Sequence, residues 1–223
     1  MKIEVICALP EIFNALNYGI NKKAIDSNKV EITITSLWDF VEENKRLDDA
    51  PFGGGPGVIV RYAPLSKSIE SAKKRLPNAK VIYMSPQGQT LKQDFYEKTS
   101  FTELIIICGR YEGIDERIID EYVDIELSVG DYILSGGEFG ALIVIDNFIR
   151  QIPNVLNNKL SLEDSFSNNL LKYPQYTKPR SINGVKVPDI LLSGNHKKIN
   201  LWRLEQSVKI TREKRPDLLD KKS

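Results

Sequence analysis

Through residue 150 the sequence alternates short, β-branched apolar runs with amphipathic stretches, and this alternation limits the fold more than any other feature. The runs Lys2–Leu9, Val30–Leu37, Val58–Tyr62, Lys80–Met84 and Leu104–Cys108 predict strands. Between them, Pro10–Ala24 and Ala63–Leu76 have helical spacing, the second with Pro64 near a first-turn position that tolerates it. Strands separated by helices cannot pair as hairpins, so an α/β fold with a substantial parallel part is expected. Glu138–Gln151 reads as an apolar, buried helix broken by Pro153. No internal repeat or low-complexity tract is visible.

From Asn154 to about Leu171 the pattern dissolves into Asn, Ser and acidic residues, as in an interdomain linker. Pro174, Pro179 and Pro188 then punctuate a loop-rich stretch. A final helix is predicted from about His196 to Lys214, stopped by Pro216. On it Leu201, Leu204 and Val208 recur at three- and four-residue steps, while Lys197, Lys198, Arg203, Lys209 and Arg212 supply charge. The expected boundaries are an α/β domain over 1–156, a linker over 157–170 and a basic, mostly helical domain over 171–223.

Charge separates the two ends. The net charge of +1 hides 18 basic and 25 acidic side chains over residues 1–169, against 13 basic and 5 acidic over 170–223. An acidic body with a basic tail suits a lobe that meets a polyanion, although a solvated basic helix has the same composition. The runs Leu104–Cys108 and Ala141–Ile145 are far too short to span a bilayer, and Glu4 falls where a leader's apolar stretch would begin. Cys7 and Cys108 sit in apolar runs and suggest buried, reduced thiols of a cytoplasmic protein. The single histidine, His196, excludes multi-histidine metal centres.

Four segments are richer in glycine than a structural reading requires. Gly53-Gly54-Gly55-Pro56-Gly57 follows Asp48-Asp49-Ala50-Pro51-Phe52. It is no P-loop, because no Gly-Lys-Ser/Thr follows, and no dinucleotide fingerprint. The others are Tyr83–Gly88, Cys108–Arg117 and Ser128–Glu138, which read as sitting at or after the ends of strands within a 55-residue window, Tyr83 to Gly137. Ligands of open α/β sheets bind beyond the carboxyl ends of strands, so three such loops together predict a pocket.

These loops, with Leu9-Pro10-Glu11-Ile12-Phe13, Gly53–Gly57, Ile143–Pro153 and Glu163-Asp164-Ser165-Phe166, resemble the bacterial tRNA (guanine-N1)-methyltransferases. The resemblance continues in order through Tyr173–Pro179, Val187-Pro188, Leu191–His196 and Trp202-Arg203, covering nearly the whole chain. It implies a trefoil-knotted α/β methyltransferase domain, which ordinary connection rules would have excluded, and a small C-terminal, mostly helical domain. It also implies a homodimer with shared sites and S-adenosylmethionine as methyl donor. The implied substrate is a tRNA with guanosine at position 37, preceded by guanosine. Mg²⁺ would assist without a dedicated protein site.

Residue by residue, the resemblance assigns the donor to Tyr83, Met84, Ser85 and Pro86, then to Gly109, Tyr111, Glu112 and Gly113. The third loop adds Ser128, Val129, Gly130, Asp131, Tyr132, Ile133, Leu134, Gly136 and Gly137. Glu112 reads equally as a helix N-terminal acid. The catalytic pair is implied to be Asp164 and Arg150. Guanine N1 carries a proton that a positioned carboxylate must remove, and an arginine can stabilise the charge that develops on O6. By pattern alone Arg150 would be a helix C-terminal cation and Asp164 a cap. Contacts to tRNA are implied at Gly55, Pro56, Gly57, Ser165, His196, Lys197, Lys198 and Arg203. His196 could equally belong to a helix cap, and Trp202 reads as core. One departure from the pattern is Phe139-Gly140-Ala141, where many relatives have a small residue and proline. Two other readings stay open, a related knotted enzyme with another RNA target and a non-catalytic RNA-binding protein on the same scaffold.

Overall fold

A computed structural model describes residues 1–156 and 164–219, in two compact units, Met1–Leu156 and Asn157–Ser223. Residues 157–163 of the expected linker, Glu163 among them, and the last four residues lie outside the described ones.

The first unit is built on one parallel sheet of five strands. In chain order these are β1 (Lys2–Cys7), β2 (Glu31–Ser36), β5 (Lys80–Thr90), β6 (Glu103–Cys108) and β7 (Ile125–Ser128), arranged β2-β1-β6-β5-β7. A separate antiparallel pair joins β3 (Asp48–Asp49) to β4 (Ile59–Val60). Strand side chains alternate between faces, so both faces need cover. Ile3, Val5, Ile82, Met84, Leu104 and Ile106 meet one apolar layer, which includes Ala141, Val144, Ile145 and Phe148 of α5 (Gly137–Gln151). Ile6, Val81, Tyr83, Ile105 and Ile107 meet the other, formed by α2 (Tyr62–Arg75) and α4 (Glu116–Tyr122). Phe95 and Tyr96 of α3 (Gln93–Lys98) pack edge-on against Phe148. The parallel α/β sheet expected from the alternation is therefore present.

The sheet also buries a charge on β1. Glu4 on β1 is 1% exposed and accepts from Thr35 Oγ1 at 2.7 Å and from Arg75 Nε at 3.1 Å. Hydrogen-bonded pairing of this kind is what a buried carboxylate requires.

Several expected elements changed. Pro10–Ala24 is not one helix. A 3₁₀ segment runs Pro10–Asn17, Tyr18 is extended, and Gly19 takes φ +61° before α1 (Gly19–Asp26) begins. Val58–Tyr62 contributes only Ile59–Val60, outside the main sheet, because Val60 exchanges backbone bonds with the Gly113–Asp115 loop. Lys80–Met84 extends to Thr90, and β7 was not foreseen, being only four residues long.

In the second unit β8 (Ser181–Ile182) and β9 (Val185–Lys186) form a hairpin. Its turn is Asn183-Gly184 with both φ positive, the residue pair that two-residue hairpins favour. Two helices follow, α6 (Asp189–Leu192) and α7 (His196–Lys214). Leu201 and Leu204, the expected apolar side of α7, are 56% and 55% exposed. The inner face instead runs at four-residue steps through Ile199, Arg203, Ser207 and Thr211. The Thr211 hydroxyl suits it because Oγ1 accepts from Leu171 N at 2.8 Å and donates to Ser207 O at 2.7 Å.

Both cysteines are buried and unpaired by disulfide, Cys7 ending β1 and Cys108 ending β6. Burial, reinforced by the Glu138 carboxylate, pushes the Cys7 thiol from its usual 9.0 up to about 12, and burial raises Cys108 as well. The reactive species is the thiolate. Neither thiol is therefore expected to react with Ellman's reagent at pH 8 until urea unfolds the chain, and both should then react. Because these folded-state values lie above the unfolded ones, the associated stability is complete below about pH 8.5 and falls as pH rises toward the folded values.

Candidate active site

Three adjacent strands, β6, β5 and β7, end at the same edge of the sheet, and the loop after each turns irregular there. β5 shows how the sequence makes this happen. It pairs with β7 through Met84↔Leu127, leaves register over Ser85–Gly88, and rejoins at Gln89↔Leu127. The excursion displaces Ser85, Pro86 and Gln87 from the ladder and turns them toward an open cavity of about 280 Å³. That size lies near the lower end of ordinary ligand pockets.

The cavity is walled by Tyr83–Gln87, Gly109–Ile114 and the Leu127–Gly137 loop. The second and third walls are held against each other. Gly137 N donates to Gly109 O at 2.9 Å, and Arg110 makes an isolated antiparallel bridge with Gly136. A Cβ on Gly137 would lie 2.9 Å from Cys108 Cα and 3.1 Å from Gly109 N, so only glycine permits this approach. Tyr83 is 5% exposed. Burial, with Glu126 and Glu116 nearby, holds its hydroxyl protonated up to about 12.

Every residue assigned to the donor lies on this wall except Asp131, whose neighbours Gly130 and Tyr132 do line it. Lining residues not singled out from sequence are Gln87, Arg110, Ile114, Glu116, Ile119, Leu127 and Gly140. Arg110 lay inside the motif but carried no signal of its own, because its partner Glu138 is 28 residues away. The Phe139-Gly140-Ala141 departure leaves α5 regular from Gly137 onward, and Gly140 gives space to Met84 and Val129.

The remaining assigned residues are dispersed. Gly55, Pro56 and Gly57 belong to an exposed loop in which Gly57 packs against Glu112. Arg150 is in the last turn of α5. In the second unit Asp164 accepts from Lys172 Nζ at 3.2 Å, and Ser165 Oγ accepts from Lys172 N at 3.1 Å. Asp164, Lys172, Tyr173, Asn200 and Arg203 line a second cavity of about 230 Å³, with the Arg203 guanidinium 4.8 Å from the Tyr173 ring centre. Asn195, not His196, caps α7, accepting from Lys198 N at 3.1 Å. His196, Lys197 and Lys198 stand exposed in its first turn, and Trp202 is half-buried. Among the described residues no cluster of histidine, cysteine or carboxylate side chains could hold a metal ion.

The contact at Gly137 yields a direct test. Gly137→Ala should destabilise the chain by about 1–3 kcal/mol in urea melts, the usual cost of overpacking, and reduce ligand uptake at the cavity. Unchanged stability would show that the loops can separate freely.

Comparison with known proteins matches residues 1–221 to the family described as tRNA (guanine-1)-methyltransferase TrmD. Three relatives carry the name tRNA (guanine-N(1)-)-methyltransferase. That of Marinomonas sp. (strain MWYL1) is 48% identical over 98% of this chain and 89% of its own length. That of Buchnera aphidicola subsp. Schizaphis graminum is 51% identical over 98% and 85%, and that of Clostridioides difficile (strain 630) 45% over 99% and 98%. With matches this extensive, the chain belongs to the tRNA (guanine-1)-methyltransferase family.

Proposed function

We propose that this protein is an enzyme that transfers a methyl group from S-adenosylmethionine to N1 of the guanosine at position 37 of tRNA, where another guanosine precedes it. The observation carrying this reading is the convergence of three family-matching loops on one cavity at the ends of β5, β6 and β7.

The cavity fits the donor chemically. Backbone groups of Val129–Leu134 offer donors and acceptors beside Leu127, Ile133 and Leu134, as recognition of a flat heterocycle requires. When bound, S-adenosylmethionine supplies a methyl group already activated on a sulfonium. The chain must then align N1 with that methyl group and remove the N1 proton. Asp164 takes the proton, and the Arg150 guanidinium stabilises the negative charge on guanine O6. Mg²⁺ would act without a dedicated protein site.

We further propose that the contact between the Gly109–Gly113 and Ser128–Gly137 loops is part of a trefoil knot, and that the protein works as a homodimer with shared sites. The exposed apolar side chains Ile133, Leu134, Phe139 and Ile143, on or just before α5, support a dimer face. A cytoplasmic enzyme is consistent with its substrate. No described helix is long and apolar enough to cross a membrane. The exposed Lys197 and Lys198 at the N-terminus of α7 support phosphate contacts, with Gly55, Pro56, Gly57, Ser165, His196 and Arg203 as further tRNA contacts.

Two outcomes test this. Asp164→Asn keeps size but cannot accept the proton, so single-turnover methylation should fall about 10²–10⁴-fold while calorimetric donor binding is unchanged. A near-parental rate would remove Asp164 from its role. Binding of tRNA should weaken steeply with salt through counterion release, measured by filter binding between 50 and 200 mM salt, and a flat profile would exclude the basic tail as the tRNA grip.

A further inference from the structure

The charged side chains on the donor cavity's wall form an unequal set. Among the described residues they are Arg110, Glu112 and Glu116, one cation and two carboxylates. S-adenosylmethionine carries the mirror image, with one carboxylate and two cationic centres, the ammonium and the sulfonium. A site matching that pattern must decide where the single anion goes.

Arg110 is built for this. Its Nε donates at 3.1 Å to Oε1 of Glu138, a carboxylate that is fully buried at the start of α5. Its Nη1 donates at 3.2 Å to Ser135 O. The guanidinium also lies against Gly136, where a Cβ would come within 2.8 Å of Nε. Contacts from the third loop and the first turn of α5 thus fix the plane of a side chain belonging to the second loop. The Nη2 group has no bond among the described residues, so its donors stay available. With Nε and Nη1 held from different sides of the guanidinium, Nη2 still offers its N–H groups to a carboxylate, a charge-assisted bond whose direction the two held nitrogens fix.

We infer that Arg110 is the anchor for the carboxylate of the donor's amino-acid end, and that buried Glu138 is the positioning residue that aims it. This rests on the donor reading of the cavity given above. Glu138 contributes beyond charge balance. Removing it would free the guanidinium to rotate, so the carboxylate would lose both its partner's orientation and the loop contact that maintains it. Choice of donor thereby follows from the pair, since a ligand without a carboxylate leaves Nη2 of Arg110 unpaired.

The test compares ligands as well as variants. Calorimetry on the full-length protein measures S-adenosylmethionine against its decarboxylated analogue, which keeps adenosine, sulfonium and ammonium. The parental protein should prefer the carboxylated ligand by about 10- to 100-fold, the worth of a charge-assisted hydrogen bond. Arg110→Lys keeps a cation beside Glu138, which protects the fold, but cannot span Glu138 and the ligand together. Its preference should shrink to less than about threefold. Glu138→Gln should reduce the preference through misorientation, with weaker carboxylated-ligand binding and little change for the analogue. A purely structural role for the pair would instead weaken both ligands equally, and that result overturns the assignment. So does a parental protein that binds both ligands equally, or an Arg110→Lys variant that retains the full preference. If the parental protein binds neither ligand, the donor reading itself fails, an outcome distinct from loss of preference alone.

Discussion

The fold of the first unit turns on one close contact, where Gly137 passes within hydrogen-bonding distance of Gly109. Two of the cavity's three walls depend on that approach. It brings the loop after β7 against the loop after β6, opposes Arg110 to Gly136, and starts α5 directly above the strand ends. The contact costs conformational freedom at glycine and the burial of a full carboxylate, Glu138. In exchange the walls of the site come from backbone, whose position is set by the sheet rather than by side-chain rotamers. A site of this construction is preorganised, and the energetic burden falls on folding rather than on ligand binding.

The two units divide physical roles in a way their compositions reflect. The first is dominated by aliphatic layers on both faces of a sheet and carries an excess of acidic side chains. The second is smaller, basic, and held by hydroxyls, ring–cation contacts and short ion pairs as much as by apolar side chains. A basic unit joined to an acidic one is a charge division that favours a polyanion at the basic unit.

Much of this architecture was legible from periodicity. The runs at Lys2, Val30, Lys80 and Leu104 became sheet strands because each is long enough and apolar enough to be read alone. β7 was not, since Ile125-Glu126-Leu127-Ser128 acquires strand character only by pairing with β5. The face of α7 was misread because Leu201 and Leu204 outweigh Ser207 and Thr211 on any hydropathy scale, whereas the Thr211 hydroxyl finds backbone partners inside. The hairpin at Asn183-Gly184 had a clear turn signature within a stretch read only as loop. Site residues that lie in contiguous motifs, such as Gly109–Gly113, could be recognised by resemblance. The significance of Arg110 could not, because it resides in a relation to Glu138 that only the folded chain creates.

The break in register between β5 and β7 has a dynamic consequence. Leu127 faces Met84 on one side of the Ser85–Gly88 excursion and Gln89 on the other, so this cavity wall is fastened to the sheet at both ends. A loop attached that way cannot fray from a free end as a terminal segment does. Backbone amides at its two attachment points should exchange with deuterium only through openings that also disrupt the central strands, while those at its crest exchange locally. Slow and fast protons would thus alternate within a dozen residues of a single strand, a pattern that distinguishes a looped-out ladder from a lid.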